Sequence, residues 1–179
     1  MIIISVDIGL TGYISVLQKH NEELILLEYV KIPTDLKKDE LSSKSKYYVK
    51  KQIDYLAVDI IIKDLKASYS DDNEPFFMCF EQISTRKGFA VSSAMSLADS
   101  QATFRCIALQ NNIEYFPIAP SKWKKKLGLS KDKDESINFL NKMIINKDIK
   151  VLNKVIKNHN FIESVLIGYY FSLIDKVIL

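Results

Sequence analysis

Met1-Ile2-Ile3-Ile4-Ser5-Val6-Asp7-Ile8-Gly9-Leu10-Thr11-Gly12 opens the chain, an apolar run that ends on one carboxylate with two glycines close behind. A run this apolar reads as a strand buried on both faces, typical of the centre of a mixed α/β sheet. An ionised Asp at its mouth costs free energy unless a cation or a hydrogen-bond donor meets it. Gly9 and Gly12 let the backbone turn and leave room for a close approach. Pro75-Phe76-Phe77-Met78-Cys79-Phe80-Glu81 repeats the design and ends in a second acid. Two carboxylates at the ends of two apolar strands suggest a hard-metal site.

The segments around these strands predict the rest of the frame. Tyr13 to Leu17 and Leu24 to Ile32 read as two further strands, joined by the polar turn His20-Asn21-Glu22-Glu23. Pro33 to Ser45 is polar and lysine-rich and reads as a loop. Tyr47 to about Tyr69 predicts a long helix, with Ile53, Leu56, Ala57, Ile60, Ile61 and Leu65 at helical spacing. A helix is expected from about Ser93 to Gln110, capped by Ser92 or Ser93. A strand follows over Ile113 to Ile118. Short helices are expected at about 121–126 and 134–145, then a polar Lys- and Asn-rich segment, 146–158, and a last helix from about Asn160 to Val177.

This order fits an α/β fold with a five-stranded mixed sheet, a three-strand antiparallel meander plus two parallel strands, flanked by helices. The first strand is then central, and Asp7 lies near the C-terminal edge of the fourth, where open α/β sheets place their sites.

Length and composition set the outer limits. The chain has 179 residues, 47% hydrophobic and 26% charged, which suits one globular domain over 1–179. Net charge is +3 and the pI about 8.7, so any electrostatic partner must be argued from where the lysines sit. Cys79 and Cys106 are the only cysteines, and no disulfide framework is expected. There is no signal-peptide pattern and no stretch long and apolar enough to cross a membrane. The expectation is a soluble, cytoplasmic protein in a reducing compartment.

The last helix supplies the third piece of the site. His159 and Glu163 are four apart, so on a helix they share one face with Cβ atoms ~5–6 Å apart. Asp7, Glu81, His159 and Glu163 together make an oxygen-rich cage with one imidazole, suited to Mg²⁺ or Mn²⁺ rather than zinc. Two such ions ~4 Å apart can hold the attacking and leaving oxygens of a phosphodiester in line. Each residue taken singly has another use. Asp7 can satisfy loop N–H groups, and His159 with Glu163 can be a solvated helix start.

These motifs resemble those of the RuvC-like Holliday-junction resolvases, a branch of the ribonuclease H-like fold, and especially the bacteriophage-type members. The first-strand motif is Ser5-Val6-Asp7-Ile8-Gly9-Leu10-Thr11-Gly12, and Phe80-Glu81-Gln82 matches the fourth-strand acid with its Gln. The stretch 119–133, with Pro120, Trp123, Lys124, Gly128, Asp132 and Lys133, and the last-helix motif His159-Asn160-Phe161-Ile162-Glu163-Ser164 follow in the family's order. The resemblance implies a homodimer that binds four-way junctions and nicks two opposed strands with Mg²⁺. Two departures stand out. Asn158 occupies a position where an Asp is common, and Ser84 stands where many resolvases place a Phe that wedges into the junction. Phe89 is the substitute candidate.

Lys122, Lys124, Lys125, Lys126, Lys131 and Lys133 crowd a short segment containing one acid, Asp132. Such a run is either a solvated face or a phosphate-neutralising one whose affinity depends on salt. By the resemblance, Lys124 and Lys133 match DNA-contacting lysines. Trp123 reads as a core anchor or a DNA contact, and Arg86 and Lys87 stand beside Glu81 where they can grip phosphates flanking a cut. The small-residue face Ser93, Ala94, Ser96, Ala98 and Ser100 corresponds to a region that helps make the family's dimer. Three other readings stay open: a non-catalytic branched-DNA-binding module, a nuclease for RNA–DNA hybrids, and an ATP-using enzyme. The last shares the Asp-x-Gly-x-Thr pattern but needs a second lobe that 179 residues do not hold.

Overall fold

The computed structural model describes residues 1–36, 51–69, 74–83, 91–130, 132–152 and 157–174. Strands β1 (Ile2–Asp7), β2 (Tyr13–His20) and β3 (Glu23–Lys31) form the antiparallel meander. The turn between β2 and β3 places Asn21 at φ 54°, a left-handed conformation that Asn tolerates. The short strands β4 (Thr34–Leu36) and β5 (Lys51–Ile53) pair antiparallel in a sheet of their own. Helix α1 (Tyr55–Tyr69) leads to β6 (Phe76–Glu81), and helix α2 (Val91–Gln110) to β7 (Glu114–Ile118). Helices α3 (Pro120–Lys126) and α4 (Lys133–Ile145), strand β8 (Ile149–Val151) and helix α5 (His159–Ile174) complete the chain. The main sheet has six strands in the order β7-β6-β1-β2-β3-β8.

Both faces of this sheet are covered, which is why its central strands are apolar throughout. Ile2, Ile4, Val6, Met78 and Phe80 pack against Val58 and Ile62 of α1 and Phe104, Ile107 and Ala108 of α2. Ile3, Leu17, Phe77 and Cys79 point the other way and pack with Trp123 of α3, Leu140 and Met143 of α4, and the length of α5. Side chains alternate along a strand, so Ser5 and Asp7 follow Ile3 onto the α5 face, and Glu81 follows Cys79. Cys79 is fully buried, and that burial pushes its thiol pKa up to about 12. It is an inert core residue.

Helix α5 lies close on the sheet because the contact is made of small groups. The Ser5 hydroxyl donates to the Ser164 carbonyl at 2.6 Å, and the Ser15 and Ser164 hydroxyls share a bond of 2.6 Å. One turn on, a Cβ at Gly168 would come within 2.9 Å of the Ser5 Cβ and 2.5 Å of the Leu17 Cδ1. Only glycine permits this seat.

The structure departs from the sequence-based expectation in several places. The sheet has a sixth strand, β8, inside the segment expected to be irregular. Lys51–Ile53 is strand rather than helix, and α1 begins at Tyr55 because Asp54 caps it, accepting from the Ala57 N–H at 3.0 Å. The buried stripe of α1 is Val58, Ile62 and Leu65, while Leu56 and Ile60 of the expected stripe are exposed. Ser92 and Ser93 lie inside α2 rather than before it. Among the described residues no helix is long and apolar enough to cross a membrane.

Candidate active site

The β1–β6 pairing is parallel and matches Val6 with Phe80, so the next residues on each strand, Asp7 and Glu81, end side by side on one face of the sheet. Adjacent strands are ~4.8 Å apart. Gly12 completes the first of these ends: a Cβ there would lie 1.9 Å from the Asp7 carbonyl oxygen, so only glycine lets the loop fold back over Asp7. Glu163 precedes Ser164, the residue clamped to Ser5 and Ser15, and that clamp brings its carboxylate over the same strand ends. The consequence is visible in Asp7. Burial holds its carboxyl pKa well above the usual carboxylate range, the charges of Glu163 and Glu81 raise it further, and the charge of Lys124 opposes them.

Helix α3 supplies two side chains to this cluster. Trp123 is fully buried, and its indole Nε1 donates to Glu81 Oε1 at 3.1 Å. It is both core anchor and orienter of Glu81. The Lys124 ammonium meets Glu163 Oε1 at 2.6 Å and lies 4.9 Å over the Trp123 ring. The chain just after Glu81 is held by Gln101, a buried residue of α2 whose Oε1 accepts from the Ile83 N–H at 3.2 Å.

His159 Nε2 lies 3.3 Å from Glu163 Oε2, as their spacing predicts. Burial lowers the imidazole pKa; the positive charges of Lys133 and Lys124 lower it too, and Glu163 partly offsets them. The ring is therefore neutral near pH 7, the form in which imidazole binds a metal. Asn158 serves the backbone of the helix start, where its Oδ1 accepts from the N–H groups of Asn160 at 3.0 Å and Phe161 at 3.3 Å and so caps α5. Asn160 Nδ2 in turn donates to the Thr11 carbonyl at 2.9 Å and hydroxyl at 2.8 Å, tying the glycine loop to the helix start.

The four residues Asp7, Glu81, His159 and Glu163 are thus gathered at one edge of the sheet. Their donor chemistry, three carboxylates and one neutral imidazole, fits a hard divalent ion. Their side chains stand outside ligating positions: among the described residues no three Asp, Glu, His or Cys side chains lie close enough to hold one ion. Lys124 is inside the cluster and not on the solvated face expected of a phosphate contact. Lys122, Lys125 and Lys126 are exposed on α3, and Lys133 is exposed at the start of α4 beside His159. Arg86, Lys87 and Phe89 lie outside the described residues, as does Lys131.

The chain resembles Thermus thermophilus RuvC in complex with a Holliday junction substrate, with a TM-score of 0.64 over 98% of this chain and 96% of that one, at 10% sequence identity. The chain folds as RuvC does. A second structure of Thermus thermophilus RuvC gives a TM-score of 0.59 at 12% identity over 98% and 96% of the two chains. The yeast mitochondrial Holliday junction resolvase Ydc2 gives 0.54 at 13% identity, covering 94% of this chain and 76% of that one. No family model matches the sequence, and neither does any curated protein sequence. At these identities the likeness to RuvC is one of fold, and the chemistry must be argued from this chain's own residues.

Proposed function

We propose that this chain is a divalent-metal-dependent, structure-selective endonuclease that resolves four-way (Holliday) or branched DNA junctions. One observation carries the reading. In a resolvase-type fold, three distant stretches bring Asp7, Glu81 and Glu163 near one another at the strand ends, where burial and the charges of Glu163 and Glu81 raise the Asp7 pKa and a further cation would favour its ionised form. Asp7, Glu81 and Glu163 would hold Mg²⁺, with His159 as a nitrogen donor or as the group that orients water. A bound pair of ions would activate that water and stabilise the departing 3′-oxygen. Trp123 keeps Glu81 aimed inward, and the exposed Lys122, Lys125 and Lys126 receive phosphates of the arms. Arg86, Lys87, Lys133 and Phe89 remain candidate contacts close to the cut.

The domain is proposed to act as a homodimer whose two sites match the near-two-fold symmetry of a junction. Support comes from the outer sides of α1 and α2, where Leu56 (71% exposed), Val91 (74%) and Met95 (67%) face solvent beside exposed Ser93, Ser96 and Ala98. A second copy seated on this side would take these apolar side chains out of water. The setting would be cytoplasmic, in DNA recombination, repair or debranching.

The test is nicking of a synthetic four-way junction with Mg²⁺, wild type beside Asp7→Asn. Paired incisions by wild type and none by the variant support the reading. The alternative, a branched-DNA-binding module without catalysis, is favoured by one feature: among the described residues no three acidic, His or Cys side chains lie close enough to ligate one ion. Junction binding without cutting in either Mg²⁺ or Mn²⁺ would establish that alternative.

A further inference from the structure

Lys124 stands apart from the other lysines of its helix. Lys122, Lys125 and Lys126 are exposed, whereas the Lys124 side chain is largely covered and its ammonium sits 2.6 Å from Glu163 Oε1. Its charge also acts on Asp7, opposing the repulsion from Glu163 and Glu81. Its position over the Trp123 ring connects it to the indole that bonds Glu81. Lys124 thus acts on two of the acids, Glu163 by contact and Asp7 through its charge, in an arrangement where no three acidic or imidazole groups among the described residues close around a common point.

We propose that Lys124 is a resident counter-cation of Glu163 in the metal-free protein, and that a divalent ion entering the acid cluster displaces its ammonium from Glu163. The inference rests on the metal-dependent reading above and adds a step to it. A divalent ion and an ammonium compete for the Glu163 oxygen, and at contact distance they repel each other. The dication interacts more strongly with several carboxylates at once than a single charge on a four-carbon stem. The stem is flexible, so the released ammonium can swing outward. There it joins Lys122 and Lys125 and is free to accept a DNA phosphate as partner. Metal loading then both builds the cutting site and adds a cation to the DNA-binding face, so an unloaded protein holds DNA less tightly.

The experiment is lysine footprinting of the full chain, without DNA, by an amine-acylating reagent read out by peptide mass spectrometry. Reactivity is compared in metal-free buffer and in saturating Mg²⁺. Lys124 is expected to be protected without metal and several-fold more reactive with it, while Lys122 and Lys125 stay unchanged as internal references. Calorimetry of Mg²⁺ binding gives the second readout. Lys124→Met, freed of its competitor, should bind Mg²⁺ about tenfold more tightly than wild type, the scale on which groups touching a ligand carboxylate tune affinity. Trp123, the only indole in the chain, reports the same event by a change in emission during the titration. If calorimetry shows Mg²⁺ bound to wild type while Lys124 reactivity does not change, or if Lys124→Met binds with unaltered affinity, displacement is wrong and the metal site stands. If neither protein binds Mg²⁺ or Mn²⁺, the metal site and the displacement fall together.

Discussion

Replacing Gly168 by Ala perturbs the site from a distance, and its effect can be worked out from the contact between α5 and β1. The new Cβ would lie 2.9 Å from the Ser5 Cβ and 2.5 Å from the Leu17 Cδ1. The Leu17 methyl can rotate aside. The Ser5 Cβ cannot, because it is fixed to the central strand and its hydroxyl is bonded to Ser164. Carbon atoms rest at ~3.5–4.0 Å, so α5 must back away from the sheet by up to about 1 Å. Overpacking of this kind costs about 1–3 kcal/mol. Removing a mid-helix glycine returns about 1 kcal/mol, leaving a net loss of roughly 0–2 kcal/mol. At about 2–4 °C per kcal/mol for a chain of this size, Tm falls by up to about 8 °C. Activity should suffer more than stability. Glu163 rides on the same helix, and a displacement of about 1 Å among catalytic groups costs on the order of 100-fold in rate. Initial-rate nicking of a labelled four-way junction in Mg²⁺, beside scanning calorimetry, measures both. A variant with raised Tm and unimpaired nicking would show that this seat does not set the position of Glu163.

Three further outcomes are expected. Asp7 is raised in the folded state, so the native protein binds more protons than the unfolded chain between its ordinary and its elevated titration ranges. Metal-free stability therefore falls as pH rises through that window, and Asp7→Asn should raise the metal-free Tm at neutral pH and flatten the dependence, as calorimetry across pH will show. Trp123→Phe removes the Nε1 bond to Glu81 and should weaken Mg²⁺ binding or activity by roughly 10–100-fold with the fold retained by circular dichroism. Lys122→Ala with Lys125→Ala should weaken junction binding for all sequences alike and reduce the slope of log K against log salt by about 2, measured by titration at several salt concentrations.

Much of this architecture could be read from residue patterns, and the exceptions have physical reasons. β1 and β6 are legible because a strand buried on both faces cannot hide its apolar run, and an acid at its end stands out against it. β8 and the β4–β5 pair are three residues each, too short for a period-two pattern to separate from noise. The start of α1 is marked in the sequence by Asp54, a good N-cap, but the helical spacing extends past it. Asn158 likewise carries a capping signal that its reading as a departure from a common Asp obscures. The charge run in α3 identifies a basic segment. Nothing in a run of lysines says which one turns inward, since that depends on how α3 packs against α5, and so the role of Lys124 needs the structure. Trp123 shows the same limit: its burial is expected, but the partner of its N–H lies on a strand far away in sequence.

Whether Asp7, Glu81 and Glu163 form one divalent-metal site can be read from a crystal of the protein soaked in Mn²⁺ and measured at an anomalous wavelength. An anomalous peak is expected within about 2.2 Å of an Asp7 carboxylate oxygen and of at least one oxygen from Glu81 or Glu163. Full Mn²⁺ occupancy elsewhere with no peak among these three side chains would mean that they do not form such a site.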